Sequence, residues 1–321
     1  MKNSCLFIVI CFNQNKMTTG CIKNFKKFLP KKYKLMLFDN GSTPSLKRIA
    51  EREKILYLRS ETNLGYAGGC NFVIENILAQ QKDYQAICLI NNDIFIDQEF
   101  ANKTTSRLSA FFENKKLAAF TPILYKDSQF KTVDNFGVLY YRSGLAFQSK
   151  EIDKHHQALL NGAFIFLKTS ICKKLLQKDG FIFMPEFFLN MEDVELSLRL
   201  LSRGYQIQID PNLKAQHLGS QTKKPFSKTS LYFGWRNISW TALISRNRKD
   251  LIFDLPFLLL GQGILLILSF HYKCFFFLPR IYIETIKKIP MLYRLRRIYH
   301  SHNLPKKYLL NGICPKGYLL K

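Results

Sequence analysis

Residues 86–93 read Ala86-Ile87-Cys88-Leu89-Ile90-Asn91-Asn92-Asp93, five apolar residues in succession that stop on two amides and a carboxylate. Apolar residues at consecutive positions predict a strand buried on both faces, the kind found in a parallel sheet covered by helices. Working outward, residues 5–12, 35–38, 55–58 and 162–167 repeat the pattern, and residues 20–28, 69–79 and 100–113 carry helical spacing between strands. That alternation predicts an α/β fold with a doubly wound, mostly parallel sheet and helices on both faces. Residues 124–149, aromatic and polar with Gly137 and Gly144, break the rhythm as a hairpin-bearing insertion. Beyond them the spacing predicts a helix over 192–203 stopped by Gly204, a strand over 205–209 ended by Pro211, and a helix over 231–244.

Composition narrows the partners. The chain has 321 residues, 47% of them hydrophobic, with 28 Phe, 15 Tyr and 2 Trp, so it has material for a core and is not a disordered tail. Its 48 Lys and Arg against 23 Asp and Glu leave a charge of +25, which implies an anionic partner: nucleic acid, nucleotide phosphate or an acidic membrane. The eight cysteines form no CxxC pair, which argues against a zinc ribbon or a disulfide framework. They read as small buried hydrophobes in a reducing cytosol. No RNA- or DNA-binding signature accompanies the basic residues, so nucleic acid is the least favoured partner.

Ligands of open α/β sheets bind where the carboxyl ends of the strands meet their loops. Four polar clusters fall at such ends: Phe12-Asn13, then Asp39-Asn40-Gly41-Ser42, then Asn63-Leu64-Gly65-Tyr66-Ala67-Gly68-Gly69-Cys70-Asn71, then Asn91-Asn92-Asp93. Any one of them is ordinary turn chemistry, but four on successive strands point to a site. The glycine cluster is neither G-x-G-x-x-G nor a P-loop, yet glycines before a helix can offer backbone N–H groups to a diphosphate or a sugar. Asp93 can anchor a hard divalent cation together with substrate phosphates, or else cap the next helix. Glu192-Asp193, at the start of an apolar helix, suits the helix dipole and equally suits a general base held on a rigid element. His217 follows a strand and a proline and can supply a second metal ligand or a hydrogen bond near a metal-bound diphosphate.

In this order the motifs resemble the family 2 inverting glycosyltransferases of the nucleotide-diphospho-sugar GT-A fold, a Rossmann-like sheet, and in particular the rhamnosyltransferase-like branch that builds bacterial cell-surface polysaccharide. The resemblance spans roughly residues 4–250. It implies donor contacts from Phe12, Asn13, Asp39, Asn63, Gly65, Gly68, Gly69, Asn71, Asn91, Asn92 and Asp93, with Asp39 on the nucleobase. It implies a divalent metal, Mg or Mn, on Asp93 and His217, and a catalytic pair in which Asp193 is the base beside Glu192. Trp235-Arg236-Asn237 resembles the R-N that follows the catalytic domain in that branch. Two departures stand out: Asn91 replaces the first carboxylate of the metal motif, and Glu195 lengthens one arm of E-D-x-D. The implied reaction moves a sugar from a nucleotide-diphospho-sugar, with dTDP-rhamnose favoured over a UDP-hexose or a galactofuranose donor, to a lipid-linked or glycan hydroxyl. A non-catalytic nucleotide-sugar-binding or assembly protein of the same fold is the alternative.

The C-terminal third has another character. Residues 255–270 are apolar but, at 16 residues, short of the roughly 20 a bilayer requires. The segment from 271 to 321 then carries 11 Lys and Arg and one acid, Glu284. A simple span would place that tail outside, against the positive-inside tendency. The expectation is a catalytic domain over 1–228 and a helical region over 229–321. That region would hold the chain on the anionic cytoplasmic face of the inner membrane through an interfacial or re-entrant helix.

Overall fold

The computed structural model describes residues 4–80, 82–151, 158–219, 227–299 and 308–315. The chain alternates β1 (Cys5–Cys11), α1 (Asn15–Phe28), β2 (Lys34–Asn40), α2 (Lys47–Glu53), β3 (Leu56–Ser60), α3 (Gly65–Ala79), β4 (Ala86–Asn91), β5 (Ile94–Phe95), α4 (Gln98–Glu113) and β6 (Leu117–Tyr125). Short strands β7 (Val133–Asn135), β8 (Val138–Tyr140) and β9 (Ala146–Gln148) follow, then β10 (Phe164–Lys168), α5 (Thr169–Asp179), α6 (Glu192–Ser202) and β11 (Gln206–His217). Four helices complete it: α7 (Lys228–Ser245), α8 (Arg248–His271), α9 (Phe277–Lys287) and α10 (Ile289–Arg296).

The main sheet runs β3-β2-β1-β4-β10-β6-β11-β5, with β7 alongside β6. Pairing is parallel from β3 to β4 and again between β6 and β11. β10 lies antiparallel between β4 and β6, although all five of its residues are buried. Alternate residues of β1 feed two cores: Leu6, Ile8 and Ile10 face α3 and α6, while Cys5, Phe7, Val9 and Cys11 face α1 and α4. The doubly wound α/β expectation therefore holds, and the hairpin of the insertion is β8 paired with β9.

Several local expectations are corrected. The first helix starts at Asn15 and not at 20, directly after Asn13 and Gln14, which both have positive φ. β6, a strand that sequence reading did not anticipate, precedes the insertion, with Pro122 inside a strand buried along its whole length. β11 does not end at Pro211, because a register shift between Asp210 and Lys214 absorbs the proline and the strand runs on to His217. That extension matters for the site, since it pairs His217 with Ile94 and carries the Leu218 N–H to the Asp93 carbonyl at 3.0 Å.

α8 is 24 residues long, about 36 Å at 1.5 Å per residue, and not the 16 expected. It is the one described helix long and apolar enough to cross a membrane by length and composition. One stripe of it, Asp254, Gly261, Ile264, Leu265 and Ser269, is buried. Asp254 pairs with Arg142 at 2.6 Å and Arg246 at 2.9 Å, and a Cβ on Gly261 would lie 2.4 Å from the Ser143 carbonyl oxygen. The other face exposes Ile252, Phe253, Leu255, Leu259, Leu260, Leu266, Ile267 and Phe270.

Candidate active site

The carboxyl ends of β1, β4 and the extended β11, the segment leading into β10 and the start of α6 are tied together by hydrogen bonds and an ion pair. Asp93 follows β4 directly. It is not the cap of the next helix, because Asp97 holds that role through the Phe100 N–H at 2.8 Å. Asp93 Oδ2 stands 3.3 Å from His217 Nε2, and His217 Nδ1 lies 2.7 Å from Asp134 Oδ2 on β7. Burial pulls the imidazolium pKa down, but Asp134 and Asp93 outweigh it and lift the pKa to about 9. Asp134 is held below the usual carboxylate range: its burial works the other way, and the His217 hydrogen bond overcomes it.

The base side is built by strain. Phe188, Asn190 and Met191 all have positive φ, immediately before Glu192 and Asp193. Such conformations cost on the order of 1–3 kcal/mol each and persist only where their surroundings impose them. Here the Asn237 side-chain amide donates to the carbonyls of Phe187, Leu189 and Asn190 at 2.8–2.9 Å. Arg236 donates to the Glu186 carbonyl and pairs with Glu284 of α9 at 2.9 Å. The Trp-Arg-Asn segment thus clamps the loop that presents the acidic pair.

Asp193 is half-buried and accepts the Gly162 N–H at 2.8 Å and the Val194 N–H at 2.8 Å. Burial raises its pKa, against the pull of those two donors. Glu192 is buried deeper, and burial first and the Asp193 charge second push its pKa up to about 8. Adjacent carboxyls of this kind titrate as a pair, with one proton retained near neutrality. Two hydrogen bonds lead from the base to the metal motif: Gly162 binds Asp193, and the next residue, Ala163, accepts the Asn91 N–H at 2.8 Å. A Cβ on Gly162 would come within 3.3 Å of Asp193, so the glycine permits this approach. Glu195 belongs elsewhere: wholly buried, it pairs with Arg199 at 2.8 Å and accepts the Tyr299 hydroxyl.

Three buried polar atoms here, Asp93 Oδ1, Asn161 Nδ2 and Glu192 Oε2, have no hydrogen-bond partner among the described residues. Unsatisfied buried polar groups are uncommon and costly, so a cluster of them marks where a ligand belongs. Among the described residues no three His, Cys, Asp or Glu side chains are grouped to hold a metal. Two are enough when substrate phosphates and water complete the shell. Cis ligands about 2.1 Å from an octahedral ion stand roughly 3 Å apart, close to the Asp93–His217 separation. Asp134 on Nδ1 fixes the ring with Nε2 toward Asp93, and Nε2 would ligate on giving up its proton to an incoming cation, as in carboxylate–histidine–metal triads. The donor set therefore fits a divalent cation.

The expected donor contacts divide. Phe12 is 45% exposed, Asn13 accepts the Thr43 N–H at 3.0 Å, and Asn92 bonds Thr18 at 2.9 Å. Asp39 is wholly buried, and its oxygens accept from Ser42 N, Leu46 N, Tyr57 and Arg59 at 2.8–3.0 Å. Three of these bonds fall on Oδ2 and one on Oδ1, and together they brace the loop that follows β2. Asn71 is also turned inward, binding the backbone of Ile182 and Phe183 at 2.7–3.1 Å. The glycine cluster serves packing. The Gly65 N–H goes to Asn63, the Tyr66 and Ala67 N–H groups go to the Phe188 carbonyl, and Gly69 lets α3 lie against Phe38 and Asn40. Gly68 sits half-buried next to Leu64. Sequence reasoning missed Asp134 and Asn161; Asn161-Gly162, just ahead of a buried strand, was the available signal for the second.

A family model described as "Glycosyl transferase family 2" matches residues 6–175, more than half of the chain. The chain belongs to glycosyl transferase family 2, a family of transferase enzymes, and has the GT-A fold. Glu192, Asp193 and His217 lie beyond the matched segment, so their places rest on geometry. No curated protein matches the sequence. Among solved structures, GalNAc-T7 with UDP, GalNAc and Mn2+ is 13% identical over 74% of this chain and 47% of its own, with a TM-score of 0.53. The mannosyltransferase PcManGT from Pyrobaculum calidifontis, with GDP-Man and Mn2+, is 9% identical over 92% of this chain and 84% of its own, with a TM-score of 0.53. TarS 1–349 from S. aureus with UDP is 14% identical over 75% and 65%, with a TM-score of 0.50. This chain thus spans about half of the first and under two thirds of the third. At these identities the likeness is one of fold.

Proposed function

We propose that the chain transfers a sugar from a nucleotide-diphospho-sugar to an acceptor hydroxyl with inversion. The observation that carries this is the cluster of unsatisfied polar atoms, Asp93 Oδ1, Asn161 Nδ2 and Glu192 Oε2, beside a carboxylate pair at the strand ends. Asp193 accepts the proton of the acceptor hydroxyl. The hydroxyl oxygen bonds to the anomeric carbon as the bond from that carbon to the diphosphate breaks, and the diphosphate leaves with the electron pair. Glu192, protonated near neutrality, keeps the pair at a single negative charge, and Gly162 and Val194 fix the Asp193 oxygens. Asp93 and His217 would hold a divalent cation, Mg or Mn, which when bound offsets charge on the diphosphate. Asp134 orients His217 for that task.

The donor favoured by the sequence resemblance is dTDP-rhamnose, ahead of a UDP-hexose or a galactofuranose donor, and the acceptor is lipid-linked or polysaccharide. The protein sits on the cytoplasmic face of the inner membrane. What supports this is that α8 is held to the body by one buried stripe, through Asp254 with Arg142 and Gly261 against Ser143, and turns an apolar face outward, the arrangement of an in-plane helix. A screen of nucleotide-sugars against membrane lipid acceptors, read by mass spectrometry, tests the reading. One donor should be consumed with a matching mass gain on lipid, and binding of nucleotide-sugar without turnover by any donor would refute it in favour of a non-catalytic role.

A further inference from the structure

Where α7 ends, α8 begins and α10 turns back, Asn247, Arg248, Tyr293, Arg296 and Arg297 line a cavity of about 360 Å³. Three guanidinium groups share it, and among the described residues none of the three is ion-paired to a carboxylate. Asp250, the nearest acid along the chain, is engaged by Asn247, whose side chain caps α8 through the Asp250 N–H at 2.8 Å and donates to the Asp250 carboxylate at 2.7 Å. Arg297 lies over the Tyr293 ring, 5.4 Å from its centroid, which fixes the outer wall. Arg296 reaches inward and donates to the Leu243 carbonyl at 3.2 Å. Its other terminal nitrogen, Nη2, is buried without a hydrogen-bond partner among the described residues.

Like charges around one cavity repel, and a buried N–H donor with no acceptor is costly. Burial and then the Arg248 charge lower the Arg296 pKa, which places the two groups in each other's field. A tetrahedral dianion or diester would relieve both costs, since guanidinium groups bind phosphate oxygens through directed, often bidentate hydrogen bonds. The position narrows the source. One turn beyond Arg248, α8 exposes Ile252 at 72% and Phe253 at 71%, and α10 starts beside the exposed Ile286 and Ile289. A group held here lies at the edge of an apolar surface, where a lipid headgroup would meet it if that surface faces a bilayer.

We propose that Arg248, Arg296 and Arg297, with Tyr293, form a phosphate-binding site that takes the phosphate of a membrane lipid. The site stands apart from the residues of sugar transfer. Only its lipid source rests on the membrane reading of α8.

The full-length protein in neutral detergent is titrated calorimetrically with glycerol phosphate and with inorganic phosphate. It is then floated with vesicles of phosphatidylcholine alone or doped with phosphatidic acid. Saturable binding of glycerol phosphate is expected, at least tenfold weaker in Arg296→Gln and Arg248→Gln and unchanged in the charge-matched control Lys287→Gln. Phosphatidic acid should strengthen flotation by the same residues. No saturable phosphate binding, or equal loss in the control and the site variants, overturns the site. Phosphate binding without any flotation would overturn the lipid source, and with it the membrane reading of α8, while leaving the anion site in place. Thermal unfolding of each variant confirms that it is folded.

Discussion

Glu192→Gln isolates the acidic pair. In the folded protein burial and Asp193 hold the Glu192 proton up to about pH 8, against an ordinary value of 4.5 in the unfolded chain. Between those values the native state binds a proton that the unfolded state has lost, so this group's stabilising contribution is complete below about pH 4.5 and is lost as pH rises toward 8. A difference of roughly 3.5 units at 1.4 kcal/mol per unit gives at most about 5 kcal/mol, shared with Asp193 because the two titrate together. Glutamine has no proton to lose. Urea unfolding at pH 5, 7 and 9, followed by the fluorescence of Trp235 and Trp240 on α7, should show the wild type losing several kcal/mol relative to Glu192→Gln as pH rises. Parallel stability curves for the two proteins would refute the claim that Glu192 is a buried, protonated carboxyl.

Other expectations follow from single contacts. Asp134→Asn removes the carboxylate that fixes His217 at 2.7 Å, and Mn2+ affinity measured by calorimetry should fall about 10–100-fold, the usual effect of losing such an outer partner. Asn237→Ala frees the three carbonyls that hold the strained loop before Glu192; it should lower kcat more than it raises KM and cost roughly 1–3 kcal/mol in denaturant unfolding. Gly65→Ala should lower Tm by several degrees, because at φ +72° its Cβ would meet the Phe188 carbonyl oxygen at 2.3 Å.

The strands with unbroken apolar runs were legible because burial on both faces leaves no other pattern: β1, β2 and β4 fall within a few residues of expectation. The same property hides direction, so nothing in Phe164–Lys168 says that β10 runs antiparallel. Pro122 and Pro211 masked β6 and the second half of β11, since a proline weakens a strand reading unless a bulge or register shift accommodates it. In the site, Asp93, Glu192, Asp193 and His217 stood out by their position at strand and helix ends. Asp134 did not, because its role depends on β7 pairing with β6, a contact that local sequence does not encode. Asp39 and Asn71 occupy expected positions but face inward, which only the surrounding donors and acceptors reveal.

The most direct measurement is turnover by Asp193→Asn with the donor that the wild type consumes, alongside the anomeric configuration of the wild-type product by NMR. The account predicts an inverted anomer, a fall in kcat of at least about 10²–10⁴-fold, and donor affinity within a few-fold of wild type. A retained anomeric configuration, or near-normal turnover by Asp193→Asn, would contradict it.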